Sequence, residues 1–162
     1  MIVIADTGPL NYLVLVGSVE VLRPLYTRVI VPKAVVEELT AAGAPATVKA
    51  WMAHPPGWLE VRPDPPPDPT LSFLDPGESA ALTMAQVLNA DELLIDDRAG
   101  RAEAARRRLP VTGTLGVLAA AHLAGLLDFE QALTRLHSTN FRLDPDLERV
   151  VRRRIATQAN AP

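Results

Sequence analysis

Short runs of consecutive apolar residues alternate along this chain with longer stretches in which apolar residues recur every three or four positions. The runs "IVIA" (2–5), "RVIVP" (28–32), "WLEVR" (58–62) and "ELLI" (92–95) read as strands, and "PVTG" (110–113) as a strand or its remnant. Between them, "GPLNYLVLVGSVEVL" (8–22) has helical spacing with Pro9 just inside its start, and "KAVVEELTAAG" (33–43) reads as a helix opened by Pro32 and closed by Gly43. "PATVKAWMAH", "DPGESAALTMAQVLNA" and "DDRAGRAEAARRRL" supply three more helices. "PDPPPDPT" (63–70) holds too many prolines for regular structure and reads as an extended loop. After residue 113 come three successive helical segments, "TLGVLAAAHLAGLL", "DFEQALTRLHST" and "DPDLERVVRRRIATQ". Strands that alternate with helices imply an α/β domain with a mostly parallel sheet of four or five strands, covered on both faces.

A length of 162 residues with 48% hydrophobic content fits one domain over 1–162, with roughly 128–162 as a C-terminal helical extension. The chain has no Cys, which removes disulfides, thiolate metal sites and a Cys nucleophile. The apolar start is about five residues long, lacks a basic flank and meets Asp6 at once. It is too short for a signal peptide or membrane span, so a soluble, cytoplasmic protein is expected. A net charge of −3 gives no bulk attraction to nucleic acid, so such binding must rest on a local patch or a bound cation.

Carboxylates stand at several element ends. Asp6 follows the first strand, Asp96 and Asp97 follow "LLI", and Glu78 begins a helix in "DPGE", where it forms a capping box with Asp75. Singly, each is explained by capping. Jointly, they leave the carboxyl ends of parallel strands, the edge at which such sheets bind ligands, and right-handed crossovers bring those ends to one rim. Clustered carboxylates repel one another unless a cation neutralises them, and oxygen donors suit Mg²⁺ or Mn²⁺. The helix after Pro32 contributes one more. At about 100° per residue, Val31, Val35, Val36, Leu39 and Ala42 define its buried face; Glu37 falls about 170° from that face and Glu38 only about 70°. Glu37 therefore points to solvent, and Glu38 can reach a cleft.

The segments "IVIADTGPLNYL", "VIVPKAVVEEL", "LDPGESAAL" and "LLIDDRAGRAEAARRRLPVTGTLGVL", in this order and spacing, resemble the PIN-domain superfamily, in its branch of prokaryotic PIN-like proteins related to toxin ribonucleases of toxin–antitoxin pairs. The resemblance spans residues 1 to 127. It implies a three-layer α/β/α fold and a Mg²⁺- or Mn²⁺-dependent endoribonuclease site made of Asp6, Glu38, Glu78 and Asp97, with Asp96 beside the last as a further candidate metal ligand. Which of the adjacent pair is the principal ligand stays open. Thr7 could orient a carboxylate or a metal-bound water in the substrate site, Arg98 and Arg101 could grip flanking phosphates, and Thr114 begins a helix where its hydroxyl could reach the cleft. Expected partners are an RNA substrate, an antitoxin-like protein and a second copy in a homodimer; the alternative is a catalytically inactive PIN-like module that binds RNA or protein.

Other readings conflict with the pattern. "DTG" is also the aspartic-protease triplet, but that enzyme needs an all-β body. A receiver domain wants its acidic pair after the first strand and a late Lys, and no Lys follows Lys49. A haloacid-dehalogenase-like phosphatase needs Asp where Gly8 stands. His54, His122 and His137 are scattered and read as structural. Arg149, Arg152, Arg153 and Arg154 lie in the terminal helix, read as a solvated amphipathic face or as a contact for RNA or an acidic partner.

Overall fold

Five parallel strands form the centre of the chain in the spatial order β3-β2-β1-β4-β5, seen in a computed structural model that describes residues 1–159. They are β1 (Ile2–Ala5), β2 (Arg28–Pro32), β3 (Leu59–Arg62), β4 (Glu92–Leu94) and β5 (Val111–Thr112). Residues 160–162, part of the expected domain and helical extension, lie outside the described residues. The helices are α1 (Thr7–Leu15), α2 (Leu22–Leu25), α3 (Lys33–Leu39), α4 (Ala46–Ala53), α5 (Pro76–Val87), α6 (Arg98–Arg106), α7 (Thr114–Leu123), α8 (Phe129–His137) and α9 (Pro145–Ala159).

Alternation along each strand explains why the apolar runs are continuous. Val3, Ala5, Val29, Val31 and Leu94 face one layer, where they pack with Leu10 and Leu13 of α1, Leu39 of α3, Met52 of α4, Leu118 of α7 and Leu133 of α8. Ile4, Ile30, Leu93 and Ile95 face the other, with Leu82 and Met84 of α5 and Ala104 of α6. A strand buried on both faces needs apolar residues at every position. The fold is therefore a three-layer α/β/α sandwich, with the parallel sheet covered on both faces that the periodicity implied. Among the described residues, no helix is long and apolar enough to cross a membrane.

Several boundaries differ from the sequence reading: the helices read as far as Ala90, Leu109 and Leu127 end at Val87, Arg106 and Leu123, and two more differ as follows. The helical spacing over 8–22 is interrupted: α1 ends at Leu15, Gly17 adopts a left-handed φ of +70°, and a 3₁₀ turn (Val19–Val21) leads into the single turn of α2. Apolar residues continue through the break because both pieces face the same core. The helix expected over 33–43 stops at Leu39, where the Thr40 hydroxyl turns back to the Val36 carbonyl; Gly43 lies beyond its end.

The proline loop is held at both ends by charge. Asp64 accepts a hydrogen bond from the Ala34 amide and so caps the start of α3. Asp68 caps the 3₁₀ turn Pro69–Leu71 and pairs with Arg107 of the α6 C-terminus, which also pairs with Glu103. A segment unable to form its own ladder is thus tied to the helices on either side.

Candidate active site

The carboxyl ends of β1 and β4 carry the first acids because the chain must leave the sheet there into helices. The Asp6 amide donates to the Leu94 carbonyl (2.9 Å), which continues the β1–β4 pairing by one residue and fixes Asp6 between α1 and the end of β4. Its side chain is 3% exposed, and Oδ1 is buried without a hydrogen-bond partner. Burial raises its pKa well above the usual carboxylate range; the nearby negative charges of Asp75, Glu78 and Glu38 push the same way, and the Thr7 amide opposes them. An unpaired buried carboxylate oxygen among like charges is costly in isolation.

Glu38 comes from the other side. Its helix, α3, packs on α5, and the carboxylate receives the Thr7 hydroxyl on Oε2 and the Gly77 amide on Oε1 (2.8 Å). Burial raises its pKa, with those two hydrogen bonds opposing. A Cβ at Gly77 would stand 2.6 Å from the Glu38 carboxyl carbon, so only glycine lets the carboxylate lie on the first turn of α5. Glu37 is exposed and lies near Lys33 (3.6 Å), as the helix phase required.

Asp75 and Glu78 form the expected capping box: the Glu78 amide donates to Asp75 (2.8 Å), and the Asp75 amide to Glu78 (3.3 Å). Burial, then the charges of Asp75 and Asp97, push the Glu78 pKa up to about 7. The sequence pattern marks Asp75 only as a cap; the fold also makes it part of the negative field around Asp6 and Glu38. Gly77 is a further functional position, and the signal for it in the sequence is a glycine in a helical first turn, where a missing side chain allows close approach.

The adjacent pair after β4 separates. Asp97 is exposed, caps α6 through the Gly100 amide (2.9 Å) and faces Glu78 electrostatically. Asp96 turns to α7, where Oδ1 accepts the Thr114 amide (2.7 Å) and Oδ2 the Thr114 hydroxyl (2.6 Å). Burial raises the Asp96 pKa, while Thr114 and the charge of Arg101 oppose the rise. Thr114 is fully buried and committed to Asp96, so its hydroxyl is not open to a substrate. Arg101 donates to the Ile95 carbonyl (3.0 Å), and Arg98 is exposed on the first turn of α6.

Asp6, Glu38, Asp75, Glu78 and Asp97 thus form one chain of mutually repelling carboxylates, with Asp96 to the side. Among the described residues, no three Asp, Glu or His side chains are placed to hold a metal ion together as they stand. Each acid other than Asp6 is engaged by a helix amide or hydroxyl. The donor chemistry nevertheless fits a hard divalent cation: the donors are all oxygen, the field is negative, and one buried oxygen lacks any partner.

A family model described as DUF3368, a PIN domain, matches residues 2–157. Among solved structures, a PilT N-terminus domain protein from the hyperthermophilic archaeon Sulfolobus solfataricus P2 aligns over 89% of this chain and 100% of its own, at 15% identity and a TM-score of 0.49. None of the curated proteins matches.

Proposed function

The chain belongs to the PIN-domain family, and from that premise we propose that it is a Mg²⁺- or Mn²⁺-dependent endoribonuclease whose site is the carboxylate cluster at the ends of β1 and β4. PIN domains are generally nucleases. The observation that carries the reading to this cluster is Asp6, whose Oδ1 is buried without a partner in the field of Asp75, Glu78 and Glu38.

Asp6, Glu38, Glu78 and Asp97 are the residues that would hold the cation. When bound, it supplies charge neutralisation at the phosphodiester and lowers the pKa of a water that attacks phosphorus. The chain's own part is orientation. The Thr7 hydroxyl and Gly77 amide aim Glu38, the capping box fixes Glu78, and the α6 cap fixes Asp97. Arg98, one residue past Asp97, is free to take a phosphate oxygen beside the cut. Glu78, with its pKa near 7, can hold or release a proton at neutral pH.

A specific observation favours the second reading, a catalytically inactive module that binds RNA or protein: no three acids meet in a metal-holding arrangement among the described residues. The pair Glu38→Gln and Glu37→Gln separates the two. Under the nuclease reading Glu38→Gln loses Mn²⁺-dependent RNA cleavage by about a hundredfold or more, as removal of a charged catalytic contact does, while Glu37→Gln cleaves like wild type. A wild type that cuts no RNA in Mn²⁺ moves the reading to the inactive module. The toxin role, a cytoplasmic site of action, an antitoxin-like partner and a homodimer are further parts of this proposal. Light scattering and co-purification from the native host test the last two.

A further inference from the structure

Beside the carboxylate cluster a groove of about 690 Å³ lies between the β5 edge and α9, with Asp96 in its lining. Its charge is unlike that of the whole chain. Arg98, Arg101, Arg142 and Arg154 line it against the two carboxylates of Asp96 and Asp144, in a protein of net charge −3. Most arginines elsewhere are neutralised in place: Arg28, Arg62, Arg106, Arg107, Arg149 and Arg152 each lie against a carboxylate. Among the described residues, Arg98, Arg142 and Arg154 form no ion pair, while Arg101 donates to a backbone carbonyl and its charge is offset by the nearby Asp96. Between these cations the wall is apolar, with Phe141 half-buried and Leu147 and Val150 exposed on the first turns of α9.

We propose that this groove holds the single-stranded segment of RNA that adjoins the cleaved bond, with Arg142 and Arg154 on its phosphates and the Phe141, Leu147 and Val150 wall against its bases. The assignment rests on the ribonuclease reading above. A single strand needs spaced cations for its backbone and apolar or aromatic faces for its bases, and this groove offers both. Guanidinium groups match phosphate bidentately. An acidic protein segment would also satisfy the charge; the groove's Asp96 and Arg98 are the chain neighbours of Asp97 on either side, so a strand lying across the acids can pass from Asp97 into the groove, and this favours the strand. The apolar wall can meet only bases that are not already paired and stacked, so it selects a strand over a duplex.

Binding is measured by fluorescence anisotropy with a short labelled single-stranded RNA in EDTA, which separates affinity from cleavage, over a series of salt concentrations. The Arg142→Gln/Arg154→Gln double variant is expected to bind about tenfold more weakly or worse, and its log–log salt slope to fall by about 1.4, the loss of two phosphate contacts. Both side chains are exposed and unpaired, so folding is retained, and circular dichroism checks this. Arg149→Gln/Arg153→Gln removes the same charge from α9 outside the groove and is expected to leave affinity and slope near wild type. The pre-formed duplex is expected to bind more weakly than the strand.

Equal loss in both double variants, duplex binding as tight as the strand, or affinity for poly-glutamate with none for RNA overturns the proposal. A protein that cuts RNA in Mn²⁺ but binds the strand independently of Arg142 and Arg154 loses the groove and keeps the nuclease reading. One that binds the strand through these arginines without cutting it keeps the groove and loses the nuclease reading.

Discussion

At the scale of the residue, Asp6 concentrates the argument. A strand-end aspartate ordinarily satisfies its oxygens on the helix it caps, as Asp97 does on Gly100 and Asp75 on Glu78. Asp6 makes no such cap bond and leaves one oxygen buried and unpartnered. Residues that serve a reaction are often those that do least for stability. Asp6→Asn, nearly isosteric and uncharged, is therefore expected to raise the Tm in EDTA at neutral pH, at about 2–4 °C for each kcal/mol relieved in a chain of this length. Differential scanning calorimetry measures it, and a Tm unchanged or lowered by the substitution would mean that the Asp6 carboxylate is not strained. The sequence showed that an acid stood here; it could not show that this one lacks a partner, because that depends on Asp75, Glu78 and Glu38 arriving from residues far along the chain.

Element scale explains which neighbours were legible. The phase of α3 separated Glu37 from Glu38 because both sit on one helix whose buried face holds Val35 and Leu39, two of the five residues that set the phase; of the others, Val31 lies in β2 and Ala42 is exposed beyond the helix end. Asp96 and Asp97 could not be separated in the same way. Their directions are set by different partners, Thr114 at the start of α7 and Gly100 on α6, and no local period records that. Gly77 marks the contact between α3 and α5. In Gly77→Ala the new methyl displaces the Glu38 carboxylate, so Mn²⁺-dependent cleavage is expected to fall toward the Glu38→Gln level. Stability is expected to stay within about 1 kcal/mol of wild type, since alanine favours the helix and the displaced atoms are a side-chain end. Parallel kinetic and thermal measurements check this, and full activity in Gly77→Ala would show that the position of Glu38 on α5 does not matter.

For the molecule as a whole, a mostly parallel sheet covered on both faces was legible in the apolar runs, while the strand order β3-β2-β1-β4-β5 was not, since no run records which neighbour it pairs with. The break at Gly17 was not legible either, because the apolar residues on either side of it serve the same core. The acids of the cluster also set how the whole fold responds to pH. Asp6, Glu38, Glu78 and Asp96 all titrate above their usual range in the folded chain, Glu78 near 7. Between pH about 4 and 7 the folded state therefore keeps protons that the unfolded state has released, and stability falls as pH rises through that window. Asp68 and Glu103, lowered to about 2 by their arginine and hydroxyl partners, act the other way, but only as pH falls from about 4 toward 2. Without metal, the Tm is expected to be higher at about pH 5.5 than at about pH 7.5, and Mn²⁺ should reverse much of the loss at the higher pH by linkage; a flat or rising profile in EDTA contradicts this. The central claim, that the cluster at the ends of β1 and β4 is a metal-dependent site for cutting RNA, meets its most direct test in one comparison. Cleavage of a labelled single-stranded RNA is followed for wild type and Asp6→Asn, in Mn²⁺ and in EDTA. The account predicts cutting by wild type in Mn²⁺ alone and none by Asp6→Asn in either; cutting by Asp6→Asn at the wild-type rate, or by wild type in EDTA, would contradict it.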